Sequence, residues 1–360
     1  MSRKFIQVLV VFLILGIAGC QVEQSPGNSP TPSFSQTEKS SSTPPMQTTT
    51  NTLISPTITE TNVLYTKTPQ STYTKTATLK PSASPTIDYQ SPSECNQEES
   101  WCVFPVYFPL SNPISIENNQ NPDISYRYGS TGYRTRETHH GIELSNPAGT
   151  PVLSAAEGIV KYAGNDATIL FGLYNNFYGN LIIIEHDLPG YKEKVYTLYA
   201  HLSKILVKTD DYIQAGKQIG EVGLSGSAIG SHLHFEVRSS LNDYKYTSNP
   251  EIWLEPGVEP LSGEQYGVLG VNITQNGKAI TSQEVTLEYY EEGHQDFGKK
   301  AFAETYAWNT PLATIWNENL IVGNLQAGRY RVTFSWNNSP YIFFTEVFPG
   351  SLTIQNINIK

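Results

Sequence analysis

The chain has 360 residues, long enough for two or three domains, with 38% hydrophobic and only 16% charged residues, 22 tyrosines and 23 prolines. That bias suits a β-rich exported protein better than a helical cytosolic enzyme. A formal charge of −10 without any Lys/Arg block excludes the electrostatic footprint of a nucleic-acid binder.

In chain order, Arg3 and Lys4 precede an apolar run from Phe5 to Gly19, interrupted only by Gln7. The run is shorter than the roughly 20 residues a membrane span needs, and it ends in small residues as a cleavage site does, so residues 1–20 read as a signal peptide. The stretch Ile17-Ala18-Gly19-Cys20 also resembles the bacterial lipobox. That resemblance implies a diacylated Cys20 as mature N-terminus, tethered to the membrane of a bacterial cell envelope through its lipid. An uncleaved anchor or a freely secreted chain are the alternatives.

Residues 21–92 change texture. Positions 21–90 hold 28 Ser or Thr and nine Pro against eight charges and four aromatic residues. Such a segment buries too little apolar area to offset the entropy of ordering it, and it is expected to be a disordered tether. At about 3 Å per residue its outer reach is on the order of 200 Å. Beyond it stand Cys95 and Cys102, an even pair in an oxidising compartment if Cys20 carries lipid. A disulfide is the default reading, with free thiols the alternative.

From 93 to about 252 short apolar runs alternate with glycine. Pro151–Leu153, Gly158–Tyr162, Leu181–His186 and Val195–His201 are rich in β-branched and aromatic residues and lack helical recurrence. An all-β sandwich or barrel is predicted. Six of the seven histidines fall here, five of them in the segments that follow. His139-His140-Gly141-Ile142-Glu143 offers an imidazole and a carboxylate four positions apart, about 13 Å in an extended strand, so the chain must bend at Gly141 for both to reach one ion. A solvated turn with incidental polar residues is the plain alternative. In His232-Leu233-His234-Phe235-Glu236-Val237-Arg238 strict alternation puts the two histidines on one strand face, about 6.6 Å apart, and the apolar residues on the other. Two imidazoles and a carboxylate make a hydrolytic zinc set with a fourth position for water.

These segments, in this order, resemble the lysostaphin-type (LytM-like) zinc endopeptidases of bacterial cell walls. The resemblance runs from about Tyr126 to Arg238 and includes Pro147-Ala148-Gly149-Thr150-Pro151, Tyr178-Gly179-Asn180, Tyr199-Ala200-His201-Leu202-Ser203 and Gly230-Ser231-His232-Leu233-His234. It implies an antiparallel β-sandwich or partly open barrel over 93–252. It further implies zinc held by His139, Glu143 and His234, and catalytic roles for His201 and His232 near the reacting water. The family's usual Asp is here Glu143, which keeps charge and oxygen donors on a longer arm. The implied substrate is a stem or cross-bridge peptide of peptidoglycan; the competing reading is a non-catalytic regulator or a wall-binding lipoprotein. His140 is expected to turn away from the ligand set. Tyr126, Arg127, Tyr128, Gly129 and Tyr133 are candidates for lining the groove or for burial, and His186 and His294 fall outside the pattern.

The final stretch, 262–360, reads as a further β module. Val268–Thr274 alternates, Asn276-Gly277 is a hairpin signal, and Val285–Tyr289, Gly328–Phe334 and Ser351–Ile359 supply further strands. It resembles the small Ig-like sandwiches attached to exported enzymes. Its aromatic residues are expected to fill its core, with glycan binding the alternative.

Overall fold

A computed structural model describes residues 92–105, 108–290, 297–311 and 317–360. The expected signal peptide, Cys20, His294 and the Ser/Thr/Pro-rich segment up to residue 91 lie outside the described residues. The described residues begin with a hairpin, β1 (Glu94–Asn96) and β2 (Trp101–Phe104), closed by a Cys95–Cys102 disulfide. There follow β3 (Ile142–Ser145), β4 (Pro151–Leu153), β5 (Gly158–Asn165), β6 (Asn180–His186) and β7 (Val195–Ala200). Next come β8 (Lys204–Ile205), β9 (Tyr212–Ile213), β10 (Gln218–Glu221), β11 (His232–Ser239) and β12 (Thr247–Ser248). The last part holds β13 (Gly267–Gln275), β14 (Lys278–Ala279), β15 (Glu284–Tyr290) and β16 (Phe297–Glu304). It ends with β17 (Leu320–Leu325), β18 (Gly328–Trp336), β19 (Ser339–Val347) and β20 (Leu352–Ile359). The protein is all-β, as its composition and punctuation predict.

The main sheet runs β12-β11-β7-β6-β5-β9, with β3 also paired to β11; β4-β10-β8 form a small second sheet. The unbroken run Leu181-Ile182-Ile183-Ile184 is explained by burial on both faces. Ile182 and Ile184 join the large core with Leu144, Tyr199, Leu233 and Phe235, while Leu181 and Ile183 pack against Tyr178, Leu198 and Ala200 on the other side. The central strands are thereby clamped between two apolar layers, a rigid base for the strand ends that carry the histidines.

The C-terminal part has a sheet β1-β2-β20-β13-β14, with β17 on β13, facing a sheet β16-β15-β18-β19. Asn276 and Gly277 both take left-handed φ, 51° and 73°, in the two-residue turn joining β13 to β14, as the hairpin signal predicts. Val285, Leu287, Tyr330, Val332 and Phe334 fill the interior between the sheets. The N-terminal hairpin belongs to this sheet, because β2 pairs antiparallel with β20 and covers an edge that would otherwise present unpaired backbone groups. All described residues fall in one compact unit. Its largest buried cluster joins Tyr128, Ile142 and Leu254 to Val268, Tyr306 and Ile354.

Candidate metal centre

Register brings the polar residues together. In the β3–β11 pair Glu143 stands directly opposite His234, and on the other side of β11 His234 faces Ala200 of β7, so His201 follows at the strand end. His201 takes φ 59°, a left-handed value uncommon outside glycine, which turns its ring out of the strand direction. The bend expected before Glu143 is present, since β3 begins only at Ile142. Gly141 is needed there: a Cβ would lie 2.6 Å from Phe235 O and 2.8 Å from Cε1 of His234.

His139 Nε2, Glu143 Oε1 and His234 Nδ1 form a triangle with sides of 3.0, 3.2 and 3.3 Å. A tetrahedral ion with ligand bonds of about 2.05 Å spaces its donors by about 3.3 Å, so these three atoms could hold one metal ion. The opposite ring nitrogens explain why lone pairs point inward. His139 Nδ1 meets Tyr126 O at 2.7 Å and His234 Nε2 meets Glu236 Oε1 at 3.1 Å, both partners being acceptors that select an N–H on that side. The same logic applies to the neighbouring pair. His201 Nδ1 meets Ser225 O and His232 Nδ1 meets Gly230 O, each at 2.9 Å, leaving the Nε2 atoms as acceptors. His232 Nε2 and Glu143 Oε2 lie 2.6 Å apart, but without hydrogen-bond alignment, so both atoms are buried and unsatisfied. Such a cluster of inward lone pairs requires a cation or a shared proton, and zinc fits its donor set.

Electrostatics follow from burial. Burial opposes ionisation of Glu143, but the facing imidazoles, His234 first, hold its carboxyl well below the usual range. Burial also disfavours a charged His234, yet Glu143 and Glu236 outweigh it and raise the ring to about 9 in the metal-free chain. His201 goes the other way. Burial, then the neighbouring His234, lowers it to about 3, so it is neutral at ordinary pH.

A groove of about 250 Å³ opens over these residues, lined among others by Tyr126, Arg136, Tyr174, Phe177, Ile229 and Tyr244. Tyr126 stacks on His139, with ring centroids 4.1 Å apart, and Arg136 lies 4.8 Å over the outer face of Tyr126. Of the other candidates for the lining, Tyr128 and Arg127 are buried, the latter paired with Glu251 at 2.6 Å, and Tyr133 is exposed away from the groove lining. His140 turns away as expected. It stacks on Tyr244 and meets Tyr244 O and Thr247 Oγ1, each at 3.0 Å, and burial lowers it to about 4. His186 is a buried structural residue, held by Glu157 O and Thr197 Oγ1.

Sequence reasoning overlooked Glu236, Arg238 and Tyr178. All three are fully buried. Glu236 accepts from His234 Nε2 and, at 2.8 Å, from Arg238 Nε, while the Tyr178 hydroxyl donates to its Oε1. The signal was available: in β11 the face that carries His232 and His234 continues with Glu236 and Arg238, four polar residues in succession opposite the apolar Leu233, Phe235 and Val237.

Residues 137–248 match the model of Peptidase family M23. Over 116 residues, 32% of this chain, the sequence is 37% identical to the cell division protein DipM of Caulobacter vibrioides. It is 34% identical over 100 residues, 28% of the chain, to the peptidoglycan DD-endopeptidase ShyC of Vibrio cholerae. It is 35% identical over 127 residues, 33% of the chain, to the DD-carboxypeptidase/endopeptidase Mpg of Neisseria meningitidis. These matches span 17%, 20% and 26% of the relatives' own lengths. The solved catalytic domain of lysostaphin from Staphylococcus simulans aligns at 28% identity over 36% of this chain and 85% of that one, with a TM-score of 0.27. The chain thus carries a Peptidase M23 domain, with His139, Glu143, His201, His232 and His234 all inside the matched stretch.

Proposed function

We propose that the chain is a zinc metalloendopeptidase that hydrolyses peptide bonds in stem or cross-bridge peptides of peptidoglycan, held at the cell envelope by a lipid on Cys20. The observation that carries this reading is the triangle of His139 Nε2, Glu143 Oε1 and His234 Nδ1, with two further imidazole acceptors beside it. The M23 match and the DD-endopeptidase relatives support the substrate class.

In this reading His139, Glu143 and His234 hold the ion. Bound zinc would supply Lewis acidity, polarising a carbonyl and acidifying water. The chain's own groups do the rest. His201 and His232 each present Nε2 as an acceptor, fixed by the N–H they give to a backbone carbonyl. Whichever ring takes the proton of the attacking water becomes a donor, able to stabilise the developing oxyanion or to protonate the departing amine. Tyr126 and Tyr244 flank the groove and orient the peptide against this pair.

A second reading has an observation of its own. Oε2 of Glu143 reaches to 2.6 Å from His232 Nε2, a reach that the shorter Asp would lack. A ligand that crowds a catalytic base favours a non-catalytic member that binds wall peptide or regulates another hydrolase. Two measurements decide. Metal analysis of the purified protein should give one zinc per chain, and purified sacculi should release peptide with the parent but not with His232→Ala. Stoichiometric zinc without release above that variant selects the second reading, and absence of zinc removes the first while leaving a non-catalytic binder or regulator.

A further inference from the structure

Glu304 ends β16, in the C-terminal part of the chain, away from the sheet that carries the histidines. It is buried. Its carboxylate accepts four hydrogen bonds from a single turn beside the groove. The donors are Ser130 Oγ and Thr131 Oγ1, both at 2.9 Å, and the main-chain N–H groups of Thr131 and Tyr133, at 3.3 and 3.2 Å. Three of these bonds converge on Oε2 and one on Oε1, so the turn engages both oxygens of the carboxylate. Nearby, Ala307 N–H donates to Gly129 O at 2.8 Å. The hydroxyl of Thr138, a groove residue, donates to Asn309 Oδ1 at 2.7 Å. Tyr306 closes over Gly129 so tightly that a Cβ there would lie 2.4 Å from Tyr306 Cδ1, at a φ of 75°.

The gripped residues are the ones that hold His139. Gly129 N–H donates to His139 O at 2.8 Å, and His139 N–H donates to Ser130 O at 2.9 Å. Residues 126–141 contain no strand of their own, so these contacts replace the ladder that fixes Glu143 and His234. A ligand on an unsupported loop has to be ordered when it binds, which costs affinity.

We infer that Glu304 is a positioning residue for the metal-facing loop, so that the C-terminal β region braces the loop that carries His139. It acts through Ser130 and the main chain of His139 and touches neither metal nor substrate. The inference rests on the zinc reading proposed above.

The test uses the full chain with Glu304→Gln, Glu304→Ala and, should either fail to fold, Ser130→Ala and Thr131→Val, each of which removes one hydroxyl donor to Glu304. The Thr131 hydroxyl also accepts from Arg134 N–H and the Ser130 hydroxyl from Gly132 N–H, so only an effect common to both is assigned to Glu304. Zinc affinity is measured against a competing chelator, and amide hydrogen exchange is followed in the metal-free protein. Outer-shell partners of metal ligands typically contribute 10–100-fold in affinity. The expected result for Glu304→Ala is a loss in that range, a smaller one for Glu304→Gln, and faster exchange confined to 126–141 while 232–239 stays protected. Unchanged exchange in 126–141 overturns the inference. So does faster exchange with unaltered zinc affinity, which would mark Glu304 as merely structural. A parent protein that binds no zinc defeats the proposed function instead, and exchange alone then decides the clamp.

Discussion

Glu236→Gln is the most informative single substitution outside the proposed ligand set. The carboxylate sits fully buried between His234 and Arg238, with Tyr178 donating to it. Burial works against its charge, but Arg238 first and then His234 hold it down to about 2 from the ordinary 4.5. A difference of about 2.5 units at roughly 1.36 kcal/mol per unit makes about 3 kcal/mol of stability. Because the folded value is depressed, that stability is present above pH 4.5 and is lost as pH falls toward 2. Glutamine keeps the shape and an oxygen for His234 Nε2–H, yet strands Arg238 without its counter-charge, and breaking a buried pair in this way costs about 3–5 kcal/mol. Urea unfolding of the metal-free protein at pH 7 should therefore show a loss of about 3 kcal/mol. The acid limb between pH 4.5 and 2 should be correspondingly flatter in the variant. A loss under about 1 kcal/mol, with the acid limb unchanged, would refute the idea that this buried network holds β11 and its histidines.

Further expectations follow from the same geometry. Zinc must displace a proton from His234, raised to about 9, so chelator competition should show affinity rising about tenfold per pH unit from pH 7 to 9 and levelling above; a flat profile contradicts the assignment of His234 as a ligand. Gly141→Ala pushes a methyl group against Phe235 O and the His234 ring, so zinc affinity should drop at least tenfold, which the same titration reads. His140 points at Tyr244 and Thr247, so His140→Gln should keep peptide release from sacculi within about tenfold of the parent, whereas His232→Ala should lower it by about 10²–10⁴.

The histidine pattern was legible because strand alternation converts spacing into direction: His232 and His234 had to share a face, and their neighbours had to be core. Regular strands such as β4 and β6 were legible for the same reason. The bend at Gly141 was also foreseeable, since only a turn lets His139 and Glu143 meet. What sequence could not supply was register. Nothing in the local sequence says that Glu143 pairs opposite His234, or that Glu236 sits between His234 and Arg238 with the Tyr178 hydroxyl upon it. Longer-range contacts were less visible still. Glu304 reaches Ser130 across 174 positions, and the Cys95–Cys102 hairpin crosses most of the described chain to cap β20.

The account stands on three distant side chains sharing one ion. Anomalous scattering at the zinc edge, from crystals of the protein grown with zinc, tests this most directly. It should reveal one peak about 2.0–2.2 Å from His139 Nε2, Glu143 Oε1 and His234 Nδ1. A peak elsewhere, or a Glu143 carboxylate turned out of that triangle, would contradict it.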